Sequence, residues 1–163
     1  MAFSILTFAD TVKNLVDKNN TTTSSYDVSA SLKTRVVKST VGYHKSKPIP
    51  NTNFPCVWIE PRHVENEYVT IGRSALRDIT VDMDIFAITN AGLGLANGRE
   101  TADREMLQLS TNIETMLRNY PQLSATSYVM SAVITDVTYD VTEANDTYNS
   151  IAHIELQTKI KSI

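Results

Sequence analysis

Residues 76–117 read LRDITVDMDIFAIT, NAGLGLANGRE and TADREMLQLSTNIETML in succession. In the first part apolar and polar side chains alternate, which is the two-residue period of a strand with one buried face. The apolar face of this strand carries Ile79, Val81, Met83, Ile85 and Ala87. In the third part apolar residues recur at spacings of three and four, which indicates an amphipathic helix. That stripe consists of Ala102, Met106, Leu109, Ile113, Met116 and Leu117. We therefore expect a strand, a glycine-containing loop and a helix whose apolar faces bury each other.

The chain before this stretch predicts one helix, one strand and two short strands. Residues 4–18 have helical apolar spacing, with Ser4 as a cap, and an alternating segment from Tyr26 to Val37 predicts a strand. Residues 42–55 contain three prolines and predict a long exposed loop. Residues 56–60 read CVWIE and predict a short strand that Pro61 stops, and residues 68–71 predict a strand returning beside it.

The chain after the glycine loop predicts a helix followed by a hairpin. Asn97 and Glu100 have the spacing of a capping box, so we expect the helix to begin near Gly98 and to end at residues 119–121. A long strand from Tyr128 to Val141 follows, in which Val133, Val137 and Val141 share a face with Tyr139. Residues 148–160 return beside it.

The predicted order of elements indicates an α+β fold. We expect a mostly antiparallel mixed β-sheet with both α-helices packed on one face and with projecting loops. At 163 residues the chain fits one domain spanning 1–163.

Composition excludes several classes of protein. The formal net charge is -3, so a broad nucleic-acid-binding face is not expected. Cys56 is the single cysteine, which excludes an intramolecular disulfide, and we interpret it as an apolar strand residue. The N-terminus lacks a basic segment before its apolar residues, and no run is long enough to span a membrane. We expect a soluble protein made in a reducing cytoplasm.

The glycine loop and the histidines provide no convincing site. Gly92 and Gly94 precede a helix, but the third glycine of a dinucleotide loop and the lysine of a P-loop are missing. His44, His63 and His153 are scattered along the chain without ligand spacing, and we interpret each as structural.

The acidic strand face offers the only chemical alternative. Asp82 and Asp84 point the same way and would hold a divalent cation, with Glu60, Asp136 or Asp140 completing the site. The simpler interpretation, an exposed strand face whose carboxylates meet water or cations, is favoured. The sequence therefore predicts no catalytic residue, no metal site and no cofactor.

In order along the chain, five features resemble the tail terminator proteins of long-tailed bacteriophages. They are the helix at 4–18, the strand PCVWIE at 55–60, RSALRDITVDMDIFAIT at 73–89, the helix at 102–123 and the hairpin at 133–160. The resemblance is to a pattern and covers most of the chain.

The resemblance implies a structural virion protein without enzymatic activity. It would form a homo-oligomeric ring, expected to be a hexamer, on the last ring of the tail tube at the head-proximal end. The ring would end tube polymerisation, join the head-tail connector or head completion protein, and let DNA pass without sequence-specific binding. It would be assembled in the host cytoplasm without contact to a membrane.

The same resemblance places contacts with the tube or the connector on the two predicted loops. The candidate contact residues are His44, Lys45, Lys47, Asn51, Asn53, Leu93, Leu95 and Asn97. Subunit contacts are expected along the exposed edges of the long strands. Asp78, Asp82 and Asp84 would line the channel, where like charge keeps DNA from adhering.

Two alternatives stay open. Within the structural class the chain is another neck or tail-completion protein or a tail-tube protein. In a different class it is a small divalent-metal-dependent enzyme using Asp82 and Asp84.

Overall fold

A computed structural model describes residues 5–19, 38–41, 54–68, 77–92, 94, 96–123, 129–144 and 146–162. The elements are α1 Ile5–Asn19, β1 Lys38–Val41, β2 Cys56–Tyr68, β3 Arg77–Gly92, α2 Gly98–Asn119, β4 Val129–Ala144 and β5 Thr147–Ser162. The predicted strand at 26–37 and residues 42–53 of the predicted loop lie outside the described residues. In the part of the chain that is described, no helix is long and apolar enough to cross a membrane.

All five described strands form one sheet in the order β1-β2-β3-β5-β4. β1 runs parallel to β2, whereas the β2–β3, β3–β5 and β4–β5 pairs are antiparallel. β5 is the last strand in the sequence, yet it lies between β3 and β4. The predicted mostly antiparallel mixed sheet is confirmed.

Both helices pack on one face of this sheet. α1 contacts β1 and β2, and α2 contacts β3, β5 and β4. The predicted apolar faces are the ones buried, because Phe8 and Val12 of α1 join Leu109 of α2, Met83 of β3 and Leu156 of β5 in a single core. The α+β layer predicted from the two periodicities is therefore correct.

One buried polar contact ties α2 to the sheet. The Thr89 hydroxyl of β3 is fully buried and donates a 2.7 Å hydrogen bond to the Ala102 carbonyl in the first turns of α2. A buried hydroxyl without a partner is costly, so this bond fixes where the helix begins relative to the strand.

The prediction that Pro61 stops the second strand is wrong. β2 continues through Pro61 as far as Tyr68, and its register with β3 shifts between Pro61 and His63, leaving Arg62 as the extra residue of a β-bulge. β1 pairs only with residues 56–59. On that side of β2, no described strand therefore needs a hydrogen bond from the nitrogen of Pro61, which cannot donate one.

A second bulge overturns the predicted face of β4. The register shifts between Ile134 and Asp136, so Val137 packs against the main core while Val133 lies on the opposite face, 56% exposed. One inserted residue reverses the alternation of every side chain beyond it. Uninterrupted period-two alternation would place both valines on one face of the sheet.

The start of α2 is at Gly98 as predicted, but the capping box is wrong. Asn97 has a left-handed backbone with φ of 62° and its side chain makes no capping hydrogen bond. Instead its carbonyl accepts hydrogen bonds from the Thr101 amide at 2.9 Å and hydroxyl at 3.0 Å. β3 also extends to Gly92, so the connection to α2 is shorter than the predicted loop of 90–98.

Candidate functional site

The sheet face that no described helix covers is called the open face. Asp78, Asp82 and Asp84 of β3 lie on it, each half-buried, as their alternation with the apolar residues of β3 predicted. In register, Asp78 is opposite Lys161, and Asp82 is opposite Gln157. This face is the first candidate site because it concentrates charge.

Four carboxylates cross the open face in one row, which we call the acid row. The register aligns Glu60 of β2 with Asp84 of β3, Asp84 with Glu155 of β5, and Glu155 with Asp136 of β4. Residues opposite each other on neighbouring strands lie about 4.5–5.5 Å apart at Cβ, and like charges there destabilise a sheet. The acid row therefore requires compensation.

Arg62 supplies this compensation from the β2 bulge. Its guanidinium donates two hydrogen bonds to the Glu155 carboxylate, at 3.0 Å and 3.1 Å, and lies 3.4 Å from Asp84 Oδ1. This hydrogen bond lowers the pKa of Glu155 and raises the pKa of Arg62. Arg62 follows Glu60 by two residues and so lies on the open face, where it reaches two acids of neighbouring strands.

His153 lies next to the acid row and is held by an aromatic ring. Its imidazole stacks on Phe86 with a centroid distance of 4.6 Å and an interplanar angle of 12°. Its Nε2 is 3.1 Å from Asp84 Oδ1, although neither atom forms a hydrogen bond within the described part of the chain. His153 thus lies against the acid row and the ring of Phe86.

The side chains around Asp84 have the composition of a metal-ion site, but the guanidinium of Arg62 already lies among them. Asp84, His153 and Glu155 each offer one ligand atom, and these atoms lie within 4.8 Å of one another. Asp82 is outside this group and accepts a 3.1 Å hydrogen bond from Gln157. Because Arg62 bonds both Glu155 oxygens and contacts Asp84, the arrangement favours a network of ion pairs over a metal centre using Asp82 and Asp84.

A small apolar cluster occupies one end of the open face. Cys56, Phe86 and Ile88 are buried there, with Trp58 and Ile151 packed against them. The interpretation of Cys56 as an apolar strand residue is confirmed, since it is 2% exposed. Trp58 lies against this smaller cluster rather than in the core beneath the helices.

The edge strand β4 is the second candidate site. Among the described residues its one strand neighbour is β5, and no described strand lies along its other side, although the Ala132 amide donates a 2.7 Å hydrogen bond to the Pro121 carbonyl. Val133 and Tyr139 on this strand are 56% and 51% exposed. An edge of this length with exposed apolar side chains is a surface for pairing with another strand.

Most of the predicted loop contacts cannot be placed. His44, Lys45, Lys47, Asn51, Asn53, Leu93 and Leu95 lie outside the described residues. Asn97 is described and is exposed immediately before α2. The structure therefore brings together the acidic residues of the prediction, and Asn97 stands apart from them.

Sequence reasoning missed Arg62 and Glu155. Arg62 and Glu155 lie on different strands and are 93 residues apart along the chain. One signal was present in the sequence. The polar residues His63, Glu65 and Glu67 recur at every second position, with the apolar Val64 between the first two, which is the pattern of a strand continuing past Pro61. A continued β2 would have placed Arg62 on the sheet.

Comparison with known proteins gives a likeness of fold. No protein-family model matches the sequence, and no curated protein matches it. Among solved structures the chain is similar to a chain from the virion of a native gene transfer agent particle, with a TM-score of 0.53 and 9% sequence identity. The match covers 99% of this chain and 100% of that chain. At this identity the two share a fold.

Proposed function

We propose that this chain is a structural virion protein that caps a tail tube as a tail terminator. The observation that carries the proposal is the match in fold, over 99% of this chain, to a chain from a gene transfer agent virion. The order of elements that resembles tail terminators of long-tailed phages supports the same class. Its role is assembly through complementary surfaces, without bond chemistry.

In this proposal the chain forms a ring, expected to be a hexamer, on the last ring of the tube. The ring ends polymerisation and presents its other side to the head-tail connector. The described surface suits such a role, because no described strand pairs with the outer side of β4, and Val133 and Tyr139 on this strand are exposed. The virion, at the head-proximal end of the tail, is the proposed location, and the host cytoplasm is the place of assembly.

The open face would line the channel. Its acid row, together with Asp78 and Asp82, places carboxylates where DNA passes, and like charge prevents adhesion. The loops at 42–55 and 90–98 would make the contacts with tube and connector.

Tail lengths test the terminator role. Deleting the coding sequence in a particle-producing culture should give tubes of uncontrolled length that are not attached to heads, visible by negative-stain microscopy. Tubes of normal length that merely fail to join heads would indicate another neck component, and an absence of tubes would indicate the tube subunit. Purified protein should scatter light as a ring rather than as a monomer.

A further inference from the structure

Among the described strands, the sheet ends in two different edges that run in opposite directions. β1 lies at one edge and β4 at the other. Following the pairings across the sheet, β1 and β2 are parallel, β3 is reversed, β5 is reversed again, and β4 runs opposite to β5. β1 and β4 are therefore antiparallel to each other.

The two edges are also level with each other. The register links Lys38 of β1 to Cys56, Cys56 to Ile88, Ile88 to Ile151, and Ile151 to Asp140 of β4. Lys38 and Asp140 are thus the two ends of one row across all five strands. Matching these rows between two copies requires no shift along the strands.

The charges at the two edges are opposite. β4 contains Asp136, Asp140 and Glu143 and has no lysine or arginine between residues 129 and 144. The sequence from 20 to 55, which includes β1, has Asp27 as its one acid. Its basic residues are Lys33, Arg35, Lys38, Lys45 and Lys47. The β4 edge is therefore acidic, whereas the described strand at the other edge, β1, contains Lys38 and no acid.

These observations select one kind of contact between copies. Pairing β4 with β4 of a second copy would place like carboxylates together, which costs several kcal/mol across an interface. A rotation about an axis parallel to the strands keeps their direction, so it brings β1 of one copy antiparallel to β4 of the next. Head-to-tail contacts form a ring when the rotation closes and a helical filament when it does not. The level rows give no rise along the axis, which is the condition for a ring.

We propose that β4 of one copy pairs antiparallel with β1 of the next, with Asp140 beside Lys38 of the neighbouring copy. This inference rests on the proposed ring-forming function and specifies the contact that closes the ring. In the isolated chain the Asp140 carboxylate accepts a 2.8 Å hydrogen bond from the Val141 amide. Pairing transfers that amide to a backbone carbonyl of the neighbour and releases the carboxylate for the lysine.

A charge exchange tests the pairing. Asp140→Lys and Lys38→Asp should each weaken self-association at least about tenfold, measured by light scattering over a concentration series. The double variant should recover to within about threefold of the wild type, because the pair is restored with its charges exchanged. Glu105→Lys, the same change of charge on the exposed side of α2, should associate like the wild type. Single variants that associate as well as Glu105→Lys would overturn the pairing.

A covalent test separates this inference from the ring itself. Cα atoms paired across antiparallel strands are about 4.5–5.5 Å apart, which suits a disulfide. On oxidation, Asp140→Cys with Lys38→Cys should give a ladder of dimers, trimers and higher species on a non-reducing gel. Cys56 is buried, so the wild type should give no ladder.

The outcomes differ for the two proposals. A wild-type ring with no ladder from the double-cysteine variant overturns the β4–β1 contact and leaves the tail-terminator role standing. Dimers from Asp140→Cys alone, at the yield of the double-cysteine variant, show β4 pairing with β4 and also overturn it. A wild type that stays monomeric at all concentrations, with no ladder from the variant, overturns both.

Discussion

Replacing Arg62 with glutamine removes the cation that bridges the acid row. The wild-type guanidinium bonds both oxygens of Glu155 and lies 3.4 Å from Asp84. Without it, Asp84 and Glu155 stay opposite each other on neighbouring strands, with Glu60 and Asp136 beyond them. The variant is therefore expected to be less stable while keeping the fold, because no core residue changes.

Exposure limits the size of this effect. The Arg62 side chain is 44% exposed, so its pair with Glu155 contributes at most about 1 kcal/mol, the upper end for surface ion pairs. Uncompensated repulsion between opposite carboxylates adds about 0.5 kcal/mol. We expect a loss of about 1.5 kcal/mol, and a lowering of the melting temperature by about 3–6 °C for a chain of this size.

The assay is thermal and urea unfolding of Arg62→Gln, Glu155→Gln and the double variant at several pH values. Arg62 holds the pKa of Glu155 below its usual value of 4.5, so the pair stabilises fully above that value. The contribution of the pair is lost as the pH falls through the lowered pKa of Glu155. The difference in unfolding free energy between the wild type and Arg62→Gln should therefore disappear at that pH.

Arg104→Gln is the matched control, because Arg104 is 80% exposed and its pair with Glu100 is 3.8 Å long. Arg104→Gln should lower the free energy of unfolding by less than about 0.5 kcal/mol. An Arg62→Gln variant as stable as this control, or a double-mutant coupling near zero between Arg62 and Glu155, refutes the compensation described for the acid row.

Three further predictions concern the core and the charged group. Leu109→Ala should cost about 2–5 kcal/mol in chemical denaturation, whereas Leu107→Ala on the same helix, 48% exposed, should change stability by under about 1 kcal/mol. Thr89→Val should cost about 1–3 kcal/mol by leaving the α2 contact unmade, while Thr111→Val, whose hydroxyl bonds the helix backbone at an exposed position, should cost less than half as much. Millimolar magnesium or manganese should leave the melting temperature within about 1 °C, since Arg62 fills the cation's place; a rise that Glu155→Gln abolishes would contradict this.

The sequence predicted those elements whose apolar pattern is long and unbroken. β3 and α2 each keep one period over many residues, so their buried faces were identified correctly. Burial of such a face contributes more than any single propensity, which is why the pattern determines the layer.

The sequence did not reveal the bulges, and the place of Asp136 in the acid row depends on one of them. A bulge inserts one residue without a composition of its own, so the shifts at Arg62 and before Asp136 leave no local signal. Pro61 suggested an end of the strand because its nitrogen cannot donate, but that argument fails where no neighbouring strand needs the donor. Which acids share a row depends on pairing between distant strands, and one sequence does not encode that register visibly.

The interior position of β5 sets an order of events during synthesis. β3 and β4 are made first, and each must wait for a strand that leaves the ribosome later, so the sheet is completed by contacts between distant parts of the chain and is expected to fold slowly. Until β5 inserts, one side of β3 is unpaired, and β4 has none of the described strands to pair with. In the proposed ring, the acidic outer edge would therefore be complete only in a finished subunit, and growth of the ring would wait until each copy has folded.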